Sequence, residues 1–203
     1  MIEVKEIDEL DFEEERHLYK LNGNVIPSVT TVMKPLSSSV YGEVDKEVLN
    51  KAATRGTAVH QAIENYLNFG IEDIPFSCRG YLDAFIQFKN DYKPEVVKTE
   101  YRMYHKYLNY AGTCDLLCYI DGKLYLIDYK TSYKVETMLT RVQIMAYKKA
   151  LLSHGVKVEG AAILHLKKDC KYKFVAHEIN DAEGWQIFTA LKTVYDYIKF
   201  GGK

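Results

Sequence analysis

The sequence predicts an α/β fold in which helices flank a mixed central sheet. Apolar residues recur three and four positions apart in several segments, a spacing typical of amphipathic helices. Other segments are rich in β-branched and aromatic residues and are bounded by turn residues, as strands are. In the middle of the chain these segments follow the order helix, three strands, helix, strand, which favours a mixed sheet covered on both faces.

The individual elements follow from these patterns. We expect helices at 45–67, 80–90, 135–153 and 181–200, and strands at 96–107, 113–120, 123–130, 161–166 and 172–177. Before them we expect an acidic edge element, a short strand, a turn at 22–24, a short helix that Ser28 could cap, and a serine-rich loop at 37–42.

The length of 203 residues fits a single domain. Its predicted parts are an N-terminal extension at 1–44 that adds a helical region, a core at 45–180 and a C-terminal helix at 181–200. The cysteines show no CxxC spacing, which disfavours a zinc or disulfide framework and favours the reducing cytoplasm. No apolar run is long enough to cross a bilayer, and the N-terminus lacks a signal-peptide pattern.

The charge of the chain does not by itself indicate a nucleic-acid-binding protein. The formal net charge is −1. Two stretches, 130–149 and 167–173, are nevertheless locally basic. Such a surface either follows a phosphate backbone or is simply solvated, and the sequence leaves both interpretations open.

The dipeptide Asp121-Gly122 is the clearest local signal, because it joins two strand-like segments as a two-residue hairpin loop does. Such a loop fixes the register and places Asp115 opposite Asp128, with Cβ atoms roughly 5 Å apart. Lys130 lies on the same face, about 6.6 Å further along its strand.

Two facing carboxylates destabilise a sheet unless something neutralises their charges. A divalent cation would do so, because hard cations prefer carboxylate oxygens. Lys130 alone, or protonation of one carboxyl, would also reduce the repulsion. The cluster is therefore either a metal site or a structural network of ion pairs.

Several motifs together resemble the RecB-like branch of the PD-(D/E)xK nucleases. In chain order they are Gly56-x-x-x-His60, Glu100 on the strand before the next motif, Gly112-x-x-Asp115, Asp128-x-Lys130 and Gln143-x-x-x-Tyr147. This similarity extends over about half of the chain, from Arg55 to Tyr147. The segment 27–31 also resembles phage and mitochondrial genome-maintenance exonucleases of this branch.

The resemblance implies a restriction-endonuclease-like core and a metal-dependent DNA exonuclease, active in phage or bacterial recombination or repair. It implies that His60, Asp115, Asp128 and the backbone carbonyl of Tyr129 hold Mg²⁺ or Mn²⁺. Lys130 would then position or deprotonate water, or stabilise charge on the phosphate.

The remaining candidate residues surround this centre. Glu100 would bind a second metal ion or orient water, and Gln143 and Tyr147 would hold the DNA backbone or support Lys130. The candidates for phosphate binding are Arg55, Lys134 and Arg141.

The expected partners and alternatives follow from the same resemblance. The expected partner is linear DNA with free ends, beside a strand-annealing protein or a helicase. Because Cys114 and Cys118 have the opposite strand parity to Asp115, and Cys78 and Cys170 are isolated, no iron–sulfur cluster is expected. An endonuclease or junction resolvase on the same fold, and a catalytically silent nucleic-acid-binding module, remain alternatives.

Overall fold

The computed structural model describes residues 3–201, which form two sheets and six α-helices. The strands are β1 (Leu10–Glu13), β2 (Leu18–Leu21), β3 (Asn24–Ile26), β4 (Glu95–Tyr104), β5 (Ala111–Ile120), β6 (Lys123–Lys130), β7 (Gly160–Leu166) and β8 (Tyr172–His177). The helices are α1 (Val29–Val32), α2 (Lys34–Tyr41), α3 (Lys46–Phe69), α4 (Arg79–Tyr92), α5 (Thr137–Ser153) and α6 (Ala182–Phe200).

The main sheet has the strand order β4-β5-β6-β7-β8. Its neighbours are antiparallel except β6 and β7, which are parallel and are joined through α5, because a parallel pair needs a crossover connection. The predicted order of helix, three strands, helix and strand is therefore confirmed. This mixed sheet flanked by helices agrees with a restriction-endonuclease-like core.

The sheet buries apolar side chains on both faces. On β6, Leu126 packs into one cluster with residues of α5 and α6, whereas the adjacent Ile127 packs into a second cluster with residues of α3 and α4. This alternation is expected of a strand covered on both sides.

The hairpin between β5 and β6 has the predicted two-residue loop. Asp121 and Gly122 have φ values of 50° and 74°, as the tight hairpin turn requires. The pairing runs from Ile120 opposite Lys123 to Leu116 opposite Ile127, which is the predicted register.

The N-terminal extension contains the expected helical region, as α1 and α2, and it also contains a small sheet. Its first half is an antiparallel three-stranded sheet in the order β1-β2-β3. Asn22 and Gly23, with φ values of 49° and 80°, form the tight turn between β2 and β3. The Asn-Gly signal therefore makes a hairpin. Ser28 caps α1 as predicted, since its Oγ accepts a hydrogen bond from the Thr31 amide at 3.0 Å.

The prediction of a loop at 37–42 is wrong, because most of this segment belongs to α2. Ser37 and Ser39 donate hydrogen bonds to the carbonyls of Lys34 and Leu36, three residues earlier, so these serines are compatible with a helix. Among residues 3–201, no helix is both long and apolar enough to cross a membrane.

Candidate active site

A histidine and two carboxylates meet beside the main sheet. His60 lies on α3, Glu100 on β4 and Asp115 on β5. The His60 Nδ1 atom is 3.4 Å from Asp115 Oδ1 and 3.7 Å from Glu100 Oε1. One potential ligand atom from each residue lies within 4.8 Å of the other two. We refer to His60, Glu100 and Asp115 as the triad.

The neighbouring strand holds Asp115 in place. Asp115 is buried, and its Oδ2 accepts a hydrogen bond of 2.5 Å from the backbone amide of Tyr129 on β6. The Tyr129 ring packs edge-on against His60, with ring centres 5.5 Å apart. One residue of β6 therefore positions two members of the triad and leaves Asp115 Oδ1 directed towards His60.

Glu100 reaches the triad through an unusual backbone conformation. It has a φ of 44°, although its neighbours Thr99 and Tyr101 pair regularly with β5. A non-glycine residue in the left-handed region costs about 1–3 kcal/mol, and such strain is concentrated at functional sites. The strain is therefore consistent with a functional role for the Glu100 carboxylate.

The electrostatics of the triad favour a bound cation. Burial lowers the pKa of His60, but the charges of Asp115 and Glu100 outweigh it and raise this pKa to about 10. Burial also raises the pKa of Glu100, and the nearby Asp115 carboxylate raises it further. Two carboxylates and one imidazole are ligands that Mn²⁺ and Mg²⁺ accept, so the triad could hold a divalent metal ion.

A second polar network adjoins the triad. Asp128 is buried at the end of β6, and its Oδ2 lies 2.6 Å from the ammonium nitrogen of Lys130. The Gln143 side-chain amide donates hydrogen bonds of 3.0 Å to Asp128 Oδ1 and to the Tyr147 hydroxyl. The sequence motifs Asp-x-Lys and Gln-x-x-x-Tyr are thus joined by direct contacts.

Lys130 remains protonated in this setting. Burial lowers the pKa of its amine, but the carboxylates of Asp128 and Asp115 outweigh burial, so the pKa is raised. Burial likewise raises the pKa of Asp128, and the Lys130 charge opposes that rise. A charged ammonium group suits hydrogen-bond donation to phosphate better than it suits proton abstraction.

The structure distributes the predicted metal ligands differently from the sequence analysis. Asp115 and Asp128 lie just beyond Leu116 and Ile127, the last pair of the β5–β6 ladder. Asp115 contacts His60, however, whereas Asp128 contacts Lys130. Glu100 was expected only to bind a second metal ion or to orient water, but it lies in the triad itself. The Tyr129 amide contacts Asp115, and its carbonyl as a metal ligand stays a prediction.

Arg55, one of the three predicted phosphate-binding residues, contacts the backbone next to Lys130. Its Nη2 donates to the backbone carbonyl of Thr131, the residue that follows Lys130, at 3.2 Å. Lys134 is exposed and lies 3.3 Å from the Glu136 carboxylate.

Arg141 has a structural role that the sequence did not indicate. Its guanidinium binds Asp181 through two hydrogen bonds of 2.6 and 2.7 Å, and Glu183 through a third of 2.8 Å. The structure therefore gives Arg141 partners at the start of α6 and does not bring it to the site as an unpaired cation.

Sequence reasoning missed two neighbours of the site. Glu64 lies one turn after His60 on α3, and the two residues line one cleft together with Glu100. The charge of Glu64 contributes to the raised pKa of Glu100. The i, i+4 spacing of His60 and Glu64 was the available signal. Tyr41 on α2 lines a cavity with Lys130, and its separation in sequence gave no signal for that contact.

The cysteines are free thiols at separate places in the fold. Cys114 and Cys118 are fully buried on β5, but they pack into clusters on opposite faces of the sheet, whereas strand parity predicted one shared face. Cys78 is buried just before α4, whereas Cys170 is exposed between β7 and β8.

Comparisons with known proteins assign no family to the chain. No family model matches it, and no curated protein does. Among solved structures, the crystal structure of SSO0001 is similar with a TM-score of 0.44 and 15% identity, covering 83% of this chain and 75% of that one. An alkaline exonuclease, LHK-Exo from Laribacter hongkongensis, has a TM-score of 0.35 and 14% identity, covering 74% of this chain and 91% of that one. Its complex with dAMP has the same TM-score and coverages at 15% identity.

Proposed function

We propose that this protein is a divalent-metal-dependent nuclease of the RecB-like PD-(D/E)xK type, which degrades linear DNA from its ends in recombination or repair. The observation that carries the proposal is the juxtaposition of the triad with the Asp128–Lys130 pair. A cation site beside a protonated lysine is suited to hydrolysis of a phosphodiester, where negative charge builds on the phosphate.

The triad would hold the metal ion, with Asp128 next to it. When bound, a divalent cation would polarise the scissile phosphodiester and lower the pKa of the attacking water. Lys130 would donate a hydrogen bond to the phosphate oxygen on which charge develops. Gln143 would keep Asp128 in place, because its amide donates to the carboxylate oxygen that does not contact Lys130.

An open cleft gives the triad access to solvent. A cavity of about 430 Å³ is lined by His60 and Glu100, and Phe12 of β1 and His17 of the turn before β2 contribute to its wall. The Arg102 guanidinium lies 5.0 Å from the centre of the Phe12 ring. Aromatic and cationic groups beside a metal site suit contact with bases and phosphates.

A basic cavity next to Lys130 supports action at DNA ends. It has a volume of about 420 Å³, and Arg55, His165, Lys167 and Lys168 contribute to its lining. We infer that it receives a terminal phosphate. Arg55→Ala should then slow degradation of phosphorylated ends more than that of unphosphorylated ends. Equal effects on both ends would reject this assignment.

The decisive experiment compares end-labelled linear DNA with covalently closed circular DNA in Mg²⁺, Mn²⁺ or EDTA. We expect metal-dependent loss of the linear DNA alone, reduced about 100-fold or more by Asp115→Asn and by Lys130→Met. Lys51→Met is the matched control, because Lys51 is an exposed lysine paired with Glu47 on the outside of α3.

The other outcomes separate the alternatives. Cutting of the circle would indicate an endonuclease or junction resolvase. Absence of cleavage with every metal, together with retained DNA binding, would indicate a catalytically silent binding module. Absence of Mn²⁺ and Mg²⁺ binding in calorimetry would favour a structural ion-pair cluster.

A further inference from the structure

A third cavity lies between the N-terminal helices and α5. Its volume is about 220 Å³, and its apolar walls come from Met33, Tyr41, Val135 and Leu139. Lys130 also lines it. We refer to this cavity as the α2–α5 pocket.

The shape and chemistry of the α2–α5 pocket suit one planar ring system. Its volume is below the about 300 Å³ at which sites for drug-sized ligands begin. Ser37, Glu136 and Thr140 add polar groups to the apolar walls. A nucleobase has the matching character, because its faces are apolar and its edges carry hydrogen-bond donors and acceptors.

The position of the pocket relates it to the site of the proposed reaction. Lys130 and Gln143 line the pocket and also contact Asp128. A nucleobase is joined to its phosphate through a single sugar. A base in the pocket would therefore have its phosphate near the Lys130 ammonium group.

We propose that the α2–α5 pocket binds the nucleobase of the nucleotide that adjoins the scissile phosphate, so that this base leaves its stack before cleavage. This inference rests on the proposed nuclease function. Unstacking a base costs a few kcal/mol within a duplex and least where the base is already unpaired. A pocket of this kind therefore favours frayed ends over the interior of a duplex.

The test fills the pocket and removes the base in turn. Ser37→Phe places a ring in the cavity, whereas Ser38→Phe, on the exposed neighbouring position of α2, is the matched control. Degradation rates are measured on linear DNA with intact ends, and on DNA with a tetrahydrofuran abasic residue as the terminal nucleotide of the 5′ or 3′ end.

We expect Ser37→Phe to slow degradation of intact ends by about tenfold, the scale of one stacking contact, and that of abasic ends by less than about twofold. Leu139→Ala, which removes one wall, should show the same selectivity for intact ends. Ser38→Phe should match the parent on both substrates.

Each failure has its own signature. If the parent protein leaves intact linear DNA uncut, the nuclease function itself is wrong. If the parent cuts intact DNA but Ser37→Phe and Leu139→Ala slow intact and abasic ends equally, the nuclease function stands and the pocket is not a base site.

Discussion

Gly112 on β5 lies directly against the ring of Tyr147 on α5. A Cβ atom added at Gly112 would be 2.5 Å from Tyr147 Cε1 and 3.1 Å from Cδ1. The Tyr147 hydroxyl in turn accepts a hydrogen bond from Gln143, which also donates to Asp128. The absence of a side chain at Gly112 therefore sets how closely the Gln143 network approaches the sheet.

Gly112→Ala should destabilise the protein, because the added methyl group overlaps a buried ring. The expected loss is about 1–3 kcal/mol, the usual cost of overpacking. Urea unfolding measures it. Gly56→Ala is the control, because the nearest atom to a Cβ there, Thr131 Oγ1, is 4.0 Å away. A loss at Gly112 no larger than that at Gly56 would contradict the packing argument.

Gln143→Met should lower cleavage without unfolding the protein. Methionine has a similar length but donates no hydrogen bond, so Asp128 Oδ1 loses its partner. Loss of such a supporting contact typically costs about 10–100-fold in activity or metal affinity. Tyr147→Phe removes only the hydroxyl that accepts from Gln143, and we expect it to have the smaller effect on the cleavage rate. The opposite ranking would place the functional contact at Tyr147.

Glu100→Gln should stabilise the metal-free protein. The pKa of Glu100 is raised in the fold, so its ionised form is disfavoured at neutral pH relative to the unfolded chain. Removing that charge should add about 0.5–2 kcal/mol in EDTA. With saturating Mn²⁺ the parent should become the more stable of the two proteins, because a ligand at 100 times its Kd stabilises the protein that binds it by about 2.7 kcal/mol. Thermal unfolding with and without Mn²⁺ measures both effects.

The control for this comparison is Glu95→Gln, an exposed position on the same strand. It should change neither the stability in EDTA nor the response to Mn²⁺. Equal stabilisation of the parent and Glu100→Gln by Mn²⁺ would show that Glu100 is not a ligand.

Local chemistry explains which parts of the fold were predictable. The Asp121-Gly122 loop fixed the register of β5 and β6, because its two residues adopt positive φ values that only a few residue types tolerate. The serines of α2 were misleading, because Ser37 and Ser39 bond to carbonyls of their own helix and need no loop.

The arrangement of the site depended on features that a sequence pattern does not encode. The position of Glu100 follows from the irregular pairing between Val96 and Lys98 and from its own φ of 44°. The engagement of Arg141 depends on Asp181, forty residues later in the chain. Structure was therefore predictable where it depends on local contacts, whereas the contacts of Glu100 and Arg141 depend on the tertiary structure.

The Arg141–Asp181 contact gives a stability prediction with a defined pH dependence. Hydrogen bonds from the Arg141 guanidinium lower the pKa of Asp181 from 3.8 to about 2. Because the folded pKa lies below the unfolded one, the ionised carboxylate stabilises the fold above about pH 4. This contribution should disappear as the pH falls from about 4 to 2.

Asp181→Asn keeps the size of the side chain and its cap on the Gly184 amide but removes the charge. We expect the free energy of unfolding to fall by about 1–2 kcal/mol at pH 7. This is at the low end for charge-assisted hydrogen bonds, because the Arg141 side chain is a third exposed. The difference in unfolding free energy between the variant and the parent should be constant above about pH 5 and should decrease below about pH 4. Urea unfolding from pH 7 to pH 3 measures it.

The control is Glu183→Gln, which should have almost no effect on stability because the Glu183 carboxylate is 68% exposed. A difference that stays constant down to pH 3 would show that Asp181 acts through its cap alone.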